Sequence, residues 1–204
     1  MTGNSTNLLL ATGNTGKVNE LAELLSHVPI TLKNLGDYPG LRDVAETGMT
    51  FTENAKLKAI GFAKQSGELS LADDSGLEVE ALGGAPGVHS ARFAVETSGY
   101  DIKIPTLLDL LERTGDAPRR ARFTCVMVLA DPNGAILYTA MGVCTGVIAR
   151  DARGSGGFGY DPIFIPDGFD RTFGELDPKV KRRISHRAAA AKLIARYLLD
   201  FIVV

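Results

Sequence analysis

The sequence predicts a mixed α/β fold, and three observations carry that expectation. A short apolar run near the start, Leu8 to Ala11, ends in a glycine-containing turn and passes into a helical pattern. Two long strand-like segments in the middle of the chain flank a tight turn, so the sheet is not purely parallel. The C-terminal stretch again has helical spacing.

Taken in order, Leu8 to Ala11 reads as a buried strand closing at Thr12-Gly13, after which Val18, Leu21, Ala22, Leu25 and Val28 recur on one face of a helix. Residues 30–49 alternate weakly and hold Gly36, Pro39, Gly40 and Gly48, which suits a short strand and a loop. Thr50 and Glu53 fit a capping box, starting a helix with Phe51, Ala55, Ala59, Phe62 and Ala63 on its apolar side. Glu68 to Ala72 reads as a strand with Asp73-Asp74-Ser75-Gly76 at its end. A second short strand follows from Leu77 to Leu82, then a turn at Gly83-Gly84-Ala85-Pro86-Gly87. Pro105 suits the first turn of a helix carrying Leu107, Leu108, Leu110 and Leu111. Ala121 to Ala130 and Ala135 to Ile148 form the hairpin, across Asp131-Pro132-Asn133-Gly134. Gly154 to Pro166 is a glycine-rich loop feeding a short strand, and one helix is expected from Pro178 onward.

Composition narrows the function. The 204 residues suit one domain, residues 1–204, or two closely packed lobes without a linker. With 22 basic against 24 acidic residues the chain lacks the cationic surplus that duplex binding rests on, whereas a small phosphorylated ligand needs only a few local cations. Met1 to Asn7 is polar and has no secretory pattern, and no apolar run is long enough to span a bilayer. Cys125 and Cys144 stand in strand-like segments without a CxxC, as reduced core thiols of a cytoplasmic protein would.

Four segments have chemical potential. Thr12-Gly13-Asn14-Thr15-Gly16-Lys17 leads from a strand into a helix, where small residues expose backbone N–H groups, the helix dipole favours anions and Lys17 adds a cation. An ordinary strand-to-helix turn has the same form, and the spacing is not that of a Walker loop. Asp73-Asp74 sets adjacent carboxylates that repel unless a cation intervenes; magnesium with phosphates would satisfy them, as would a simple Asx-turn. Gly154-Ser155-Gly156-Gly157-Phe158-Gly159 matches GxGxxG literally. It leads into Tyr160-Asp161-Pro162, which cannot open a helix, so a dinucleotide fingerprint is rejected. The loop offers instead the aromatic faces of Phe158 or Tyr160 and the Asp161 acceptor to a base. Lys181, Ser185, His186 and Arg187 precede the alanine run Ala188 to Ala191, where close packing would hold donors against a ligand. His27 reads as a surface or capping residue and His89 as part of a turn.

In this order the segments resemble the inosine triphosphate pyrophosphatase family, which acts on deaminated purine nucleotides such as dITP, ITP and XTP. The likeness covers nearly the whole chain. Besides the segments above it takes in Glu20, Glu46-Thr47-Gly48, Phe51-Thr52-Glu53-Asn54-Ala55, Leu82 to Gly87, Ser90-Ala91-Arg92 and Gly156 to Pro162. The resemblance implies an elongated mixed parallel and antiparallel central sheet with flanking helices, two lobes around a nucleotide cleft, and a homodimer. It implies cleavage to nucleoside monophosphate and pyrophosphate with Mg2+, which clears deaminated purines from the nucleotide pool. Carried over by position, Asp74 is the catalytic acid that accepts a proton from water. Glu46 and Asp74 are metal carboxylates, with Asp73 supporting or ligating. Thr12, Gly13, Asn14, Thr15, Gly16, Lys17 and Ser75 face the phosphates. Phe158, Gly159, Tyr160, Asp161, Lys181, His186 and Arg187 face the nucleoside and its phosphates. A pyrophosphohydrolase of pyrimidine or modified nucleotides, or a nucleotide-binding module without chemistry, stays open at this point.

Overall fold

A computed structural model describes residues 6–94 and 98–202; most of the polar Met1–Asn7 segment therefore lies outside the described residues. Six strands form one sheet in the order β2-β1-β3-β4-β5-β6: β1 Asn7–Leu10, β2 Thr31–Asn34, β3 Leu69–Val79, β4 Arg120–Ala130, β5 Ile136–Ile148 and β6 Phe164–Pro166. Among the described residues five α-helices accompany it: α1 Thr15–Leu24, α2 Phe51–Ser66, α3 Tyr100–Glu112, α4 Pro178–Ile184 and α5 His186–Ile202. β1 runs parallel to both β2 and β3, with Leu8 opposite Leu32 on one side and Leu69 on the other. β5 and β6 are antiparallel, so the sheet is mixed, as expected. No helix among the described residues is long and apolar enough to cross a membrane.

The chain divides into two compact units, and the divisions fall inside β3, β4, β5 and α5. The first comprises residues 1–74, 125–142 and 188–204. Its core joins Leu8, Leu10, Leu69 and Leu71 to Leu21 and Leu25 around α1 and to Ala190, Ala191, Ile194 and Leu198 of α5. The alanine run of α5 is thus close-packed, except for the exposed Ala189. The second comprises residues 75–124 and 143–187, with a core of Leu77, Val79, Leu107, Leu111, Phe123, Phe164 and Phe173. Cys125 and Cys144 are buried, one in each core.

Several boundaries differ from the sequence expectation, each for a physical reason. The first helix stops at Leu24; Val28 is still buried, but through a turn in which its N–H bonds the Leu25 carbonyl. Asp73-Asp74 do not end a strand. β3 runs through them without a break, and the expected second strand is its continuation, followed by a 3-10 turn over Glu80–Leu82. α3 begins at Tyr100, so Pro105 lies inside the helix rather than in its first turn, and the Asp101 carbonyl loses one intrahelical donor. The expected last helix is two, because Ser185 is extended (φ −68°, ψ 157°). Asp161–Ile163 forms a single 3-10 turn and no α-helix, in line with rejecting the dinucleotide motif.

The capping box at Thr50 is present in both halves: Thr50 Oγ1 accepts the Glu53 N–H at 3.1 Å, and Glu53 Oε2 accepts the Thr50 N–H at 3.1 Å. Thr50→Ala should therefore lower stability by about 1 kcal/mol. For a chain of this size that is a fall in Tm of roughly 2–4 °C, measurable by thermal denaturation.

Candidate functional site

The strand order places β1 between two parallel partners reached from opposite sides, and ligands of such sheets gather where the order switches, at the carboxyl end of the strand. Here the Ala11 N–H bonds the Leu71 carbonyl at 2.8 Å, so Thr12 leaves the sheet level with Ala72 and Asp73 of β3. Thr12 Oγ1 accepts the Asn14 N–H at 3.2 Å, and Asn14 caps α1 by accepting the Lys17 N–H at 3.2 Å. Gly13, Asn14 and Thr15 are exposed, and Gly16 partly so. Lys17, one turn into α1, points its ammonium at Asp73, with Nζ 3.0 Å from Oδ2.

Because β3 is continuous, its consecutive acids face opposite sides of the sheet. Asp73 shares the face of Leu69 and Leu71; it is fully buried, paired with Lys17, and Cys125 Sγ lies 3.9 Å from its Oδ2. Asp74 turns to the other face, toward α2. There Lys58 Nζ stands 3.8 Å from Asp74 Oδ1 and 3.2 Å from Glu46 Oε2, so Glu46 and Asp74 converge on one ammonium. Glu46 comes from the loop before α2, and that loop is pinned to the helix. The Gly48 N–H donates to Asn54 Oδ1 at 2.8 Å and the Met49 N–H to Glu53 Oε2 at 2.7 Å.

Asn54 and Lys58 were missed by the sequence reading, although a signal was present. The buried stripe of α2 is Phe51, Asn54, Ala55, Lys58, Ala59, Phe62 and Ala63. An Asn and a Lys four residues apart on an otherwise apolar face mark a polar purpose inside the fold.

The Asp74 carboxyl is pushed above its ordinary pKa, chiefly by burial and also by the Glu46 charge, against the lowering effects of Lys58, Lys17 and Asn54. A carboxylate held toward protonation in this way suits a general base. Among the described residues no three of His, Cys, Asp and Glu converge as a metal cage; the acids that share a cation are the pair Glu46 and Asp74.

The second unit holds a separate set. Gly157, at φ +71°, has no room for a side chain because a Cβ would run into the Asp161 carboxylate. The turn this permits lets Asp161 Oδ2 accept both the Phe158 N–H at 2.8 Å and the Lys181 ammonium at 2.6 Å. Lys181 Nζ also lies 4.5 Å from the centre of the Phe158 ring, and Arg187 Cζ 5.6 Å from it. Arg187, only 2% exposed, donates from Nη2 to Ser75 Oγ at 2.8 Å. His186 opens α5 and stacks on Phe123 at 4.7 Å. Tyr160 departs from the expectation that it could stack on a base. It is 2% exposed, packs edge-on against Tyr100 at 5.1 Å and donates its hydroxyl to the Ser90 carbonyl at 3.2 Å. Phe158 and Gly159, the two residues before Tyr160, are both partly exposed. Asp161 is engaged by Lys181 and the loop backbone, so it acts as an anchor rather than a ready acceptor. His27 and His89 are exposed.

A model of the Ham1 family matches residues 8–197. The dITP/XTP pyrophosphatase of Desulforamulus reducens is 52% identical over 185 residues, covering 91% of this chain and 92% of that protein. The solved structure of a HAM1 protein from Coxiella burnetii superposes with a TM-score of 0.88 at 42% identity, over 96% of this chain and 99% of that one. A structure described as a nucleoside-triphosphatase and dITP/XTP pyrophosphatase from Mycobacterium abscessus gives a TM-score of 0.75 at 38% identity, over 93% and 98% of the two chains.

Burial of Asp74 makes a prediction about stability. Its raised pKa means the folded state holds the proton more tightly than the unfolded state. Stability therefore falls as pH rises from the unfolded value through the folded one. Asp74→Asn removes that penalty. The variant should melt higher than the parent near neutral pH, with the margin closing as the pH drops to about 4 and below. Thermal melts across pH check this; an equal or lower Tm at neutral pH would contradict it.

Proposed function

The chain belongs to the Ham1 family, and from that premise we propose that it hydrolyses non-standard purine nucleoside triphosphates to the monophosphate and pyrophosphate. The relatives named dITP/XTP pyrophosphatase support dITP, ITP and XTP as the substrate class, and removing them would keep deaminated purines out of DNA and RNA. The observation that carries the chemistry is the convergence of Glu46 and Asp74 on Lys58, beside a strand-to-helix loop suited to phosphate.

In this reading Thr12, Gly13, Asn14, Thr15 and Gly16 receive phosphate oxygens at the start of α1. Lys17, held by Asp73, faces the pyrophosphate that leaves. Asp74 accepts a proton from the water that attacks the α-phosphorus; the new P–O bond forms as the bond to the bridging oxygen breaks. Glu46 and Asp74 are all-oxygen donors sharing one cationic position, which fits the preference of magnesium for one or two carboxylates completed by water and phosphate. When bound there, the ion would neutralise phosphate charge and polarise the attacked phosphorus. Asp73, on the opposite face of β3, is read as the anchor of Lys17 rather than as a ligand.

The nucleoside is assigned to the second set. Phe158 offers its face to the base, Gly159 lets the ligand approach the backbone, and Lys181 and His186 line that set. Arg187, with Ser75 beside it, donates to the ring carbonyl that hypoxanthine and xanthine have and adenine lacks. Adenine would set its amino group against that donor, leaving buried polar groups mispaired. Tyr160 and Asp161 support the loop from below. A homodimer and a cytoplasmic setting belong to the same proposal; the buried cysteines suit a reducing compartment.

A panel of dITP, ITP, XTP, dATP, dGTP, dTTP and UTP, with and without magnesium, tests the reading by the product released. Pyrophosphate from the deaminated purines, dependent on magnesium, is expected; orthophosphate, or a preference for pyrimidines, would overturn it. Asp74→Asn should lower kcat by about 10²–10⁴-fold while leaving the fold intact. Phe158→Ala should raise KM for dITP roughly five- to hundredfold with a smaller effect on kcat, in keeping with a lost stacking contact.

A further inference from the structure

Asn54 is fully buried on α2, one turn before Lys58, and has no part in the reading above. Its Oδ1 accepts the Gly48 N–H at 2.8 Å. That bond settles which way round the amide sits, since an N–H requires an acceptor, and it turns Nδ2 away from the loop. Nδ2 has no hydrogen-bond partner, and Asn54 stands on the same buried face of α2 as Lys58, whose ammonium lies 3.8 Å from Asp74 Oδ1. Gly48 is what admits the arrangement. A Cβ there would stand 2.5 Å from the Glu53 Cβ and 2.8 Å from Asn54 Oδ1, forcing the loop off the helix. An amide donor kept dry and without a full hydrogen bond is costly, and a purely structural tether would need only the acceptor half of this side chain.

We propose that Asn54 is a positioning residue for the hydrolysis: its carbonyl oxygen ties down the loop that carries Glu46, while its amide nitrogen orients Asp74. One side chain thereby sets both carboxylates that converge on Lys58. The inference rests on the function proposed above, and its two halves separate by mutation. Asn54→Asp keeps an acceptor for Gly48 but removes the donor toward Asp74. Asn54→Ala removes both.

Hydrogen exchange at the Gly48 amide reads the tether without reference to activity. Exchange should quicken in Asn54→Ala and stay near the parent rate in Asn54→Asp; equal protection in all three proteins would remove the tether. Steady-state hydrolysis of dITP with magnesium reads the orienting half. Both variants should lose about 10–100-fold in kcat, the scale of a misplaced reacting group, with KM within about threefold. In an Asp74→Asn background the Asn54→Asp change should alter the residual rate by less than about twofold, because it keeps the Gly48 tether and the carboxylate oriented by the amide is gone. A loss that is additive in that background, that falls on KM instead of kcat, or that is absent from folded Asn54→Asp would overturn the proposal. Failure of the parent protein to release pyrophosphate would instead overturn the function, and Gly48 exchange would still judge the tether.

Discussion

Taking a carboxylate out of water costs several kcal/mol unless a cation and hydrogen bonds replace the solvent, and β3 carries two at consecutive positions of a buried run. Most of the first unit's local architecture follows from that constraint. Alternation along the strand sends the two acids to opposite faces, so each needs its own cation from a different helix. α1 brings Lys17 to Asp73, and α2 brings Lys58 to Asp74. The adjacent charges do not compete for one counter-ion, and the two sides of the strand take different roles.

Asp73 is the more enclosed of the two and has the shorter ion pair, which suits a fixed support. Asp74 shares its ammonium with Glu46 at a longer distance, and burial holds its carboxyl toward the neutral form. A group so placed is a better proton acceptor than a surface aspartate and a poorer contributor to stability. The capping box at Thr50, the close approach at Gly48 and the Asn54 contact all serve to bring Glu46 from a loop onto the same helix face. The second unit repeats the device with other residues. There the buried Asp161–Lys181 pair fixes a glycine turn and holds Phe158 among cations.

Much of this was legible in the chain itself. The capping box, the hairpin, the loop from β1 to α1 and the rejection of a dinucleotide motif at Gly154–Gly159 follow from local geometry, which short-range sequence patterns encode. Asp73-Asp74 looked like a strand end because two charges interrupt an apolar run. The interruption is offset by lysines 56 residues from Asp73 and 16 residues from Asp74, which no local pattern announces. Tyr160 read as a candidate for stacking on a base because an aromatic in a glycine-rich loop suggests exposure, whereas Tyr100 and the Ser90 carbonyl take it into the core. Pro105 marked a helix start by rule, and α3 accepts it further in at the loss of one backbone bond.

By itself, then, the sequence determined the mixed sheet, the order of its elements and the set of residue types able to handle a nucleotide, since periodicity, caps and turn chemistry are properties of neighbouring residues. Only the tertiary structure decided which groups meet. It split Asp73 from Asp74, joined Asp74 to Glu46 through Lys58, added Asn54, and withdrew Tyr160 from the surface. Those outcomes depend on where charges can be buried and neutralised, and that is settled by the packing of distant segments rather than by the segments alone.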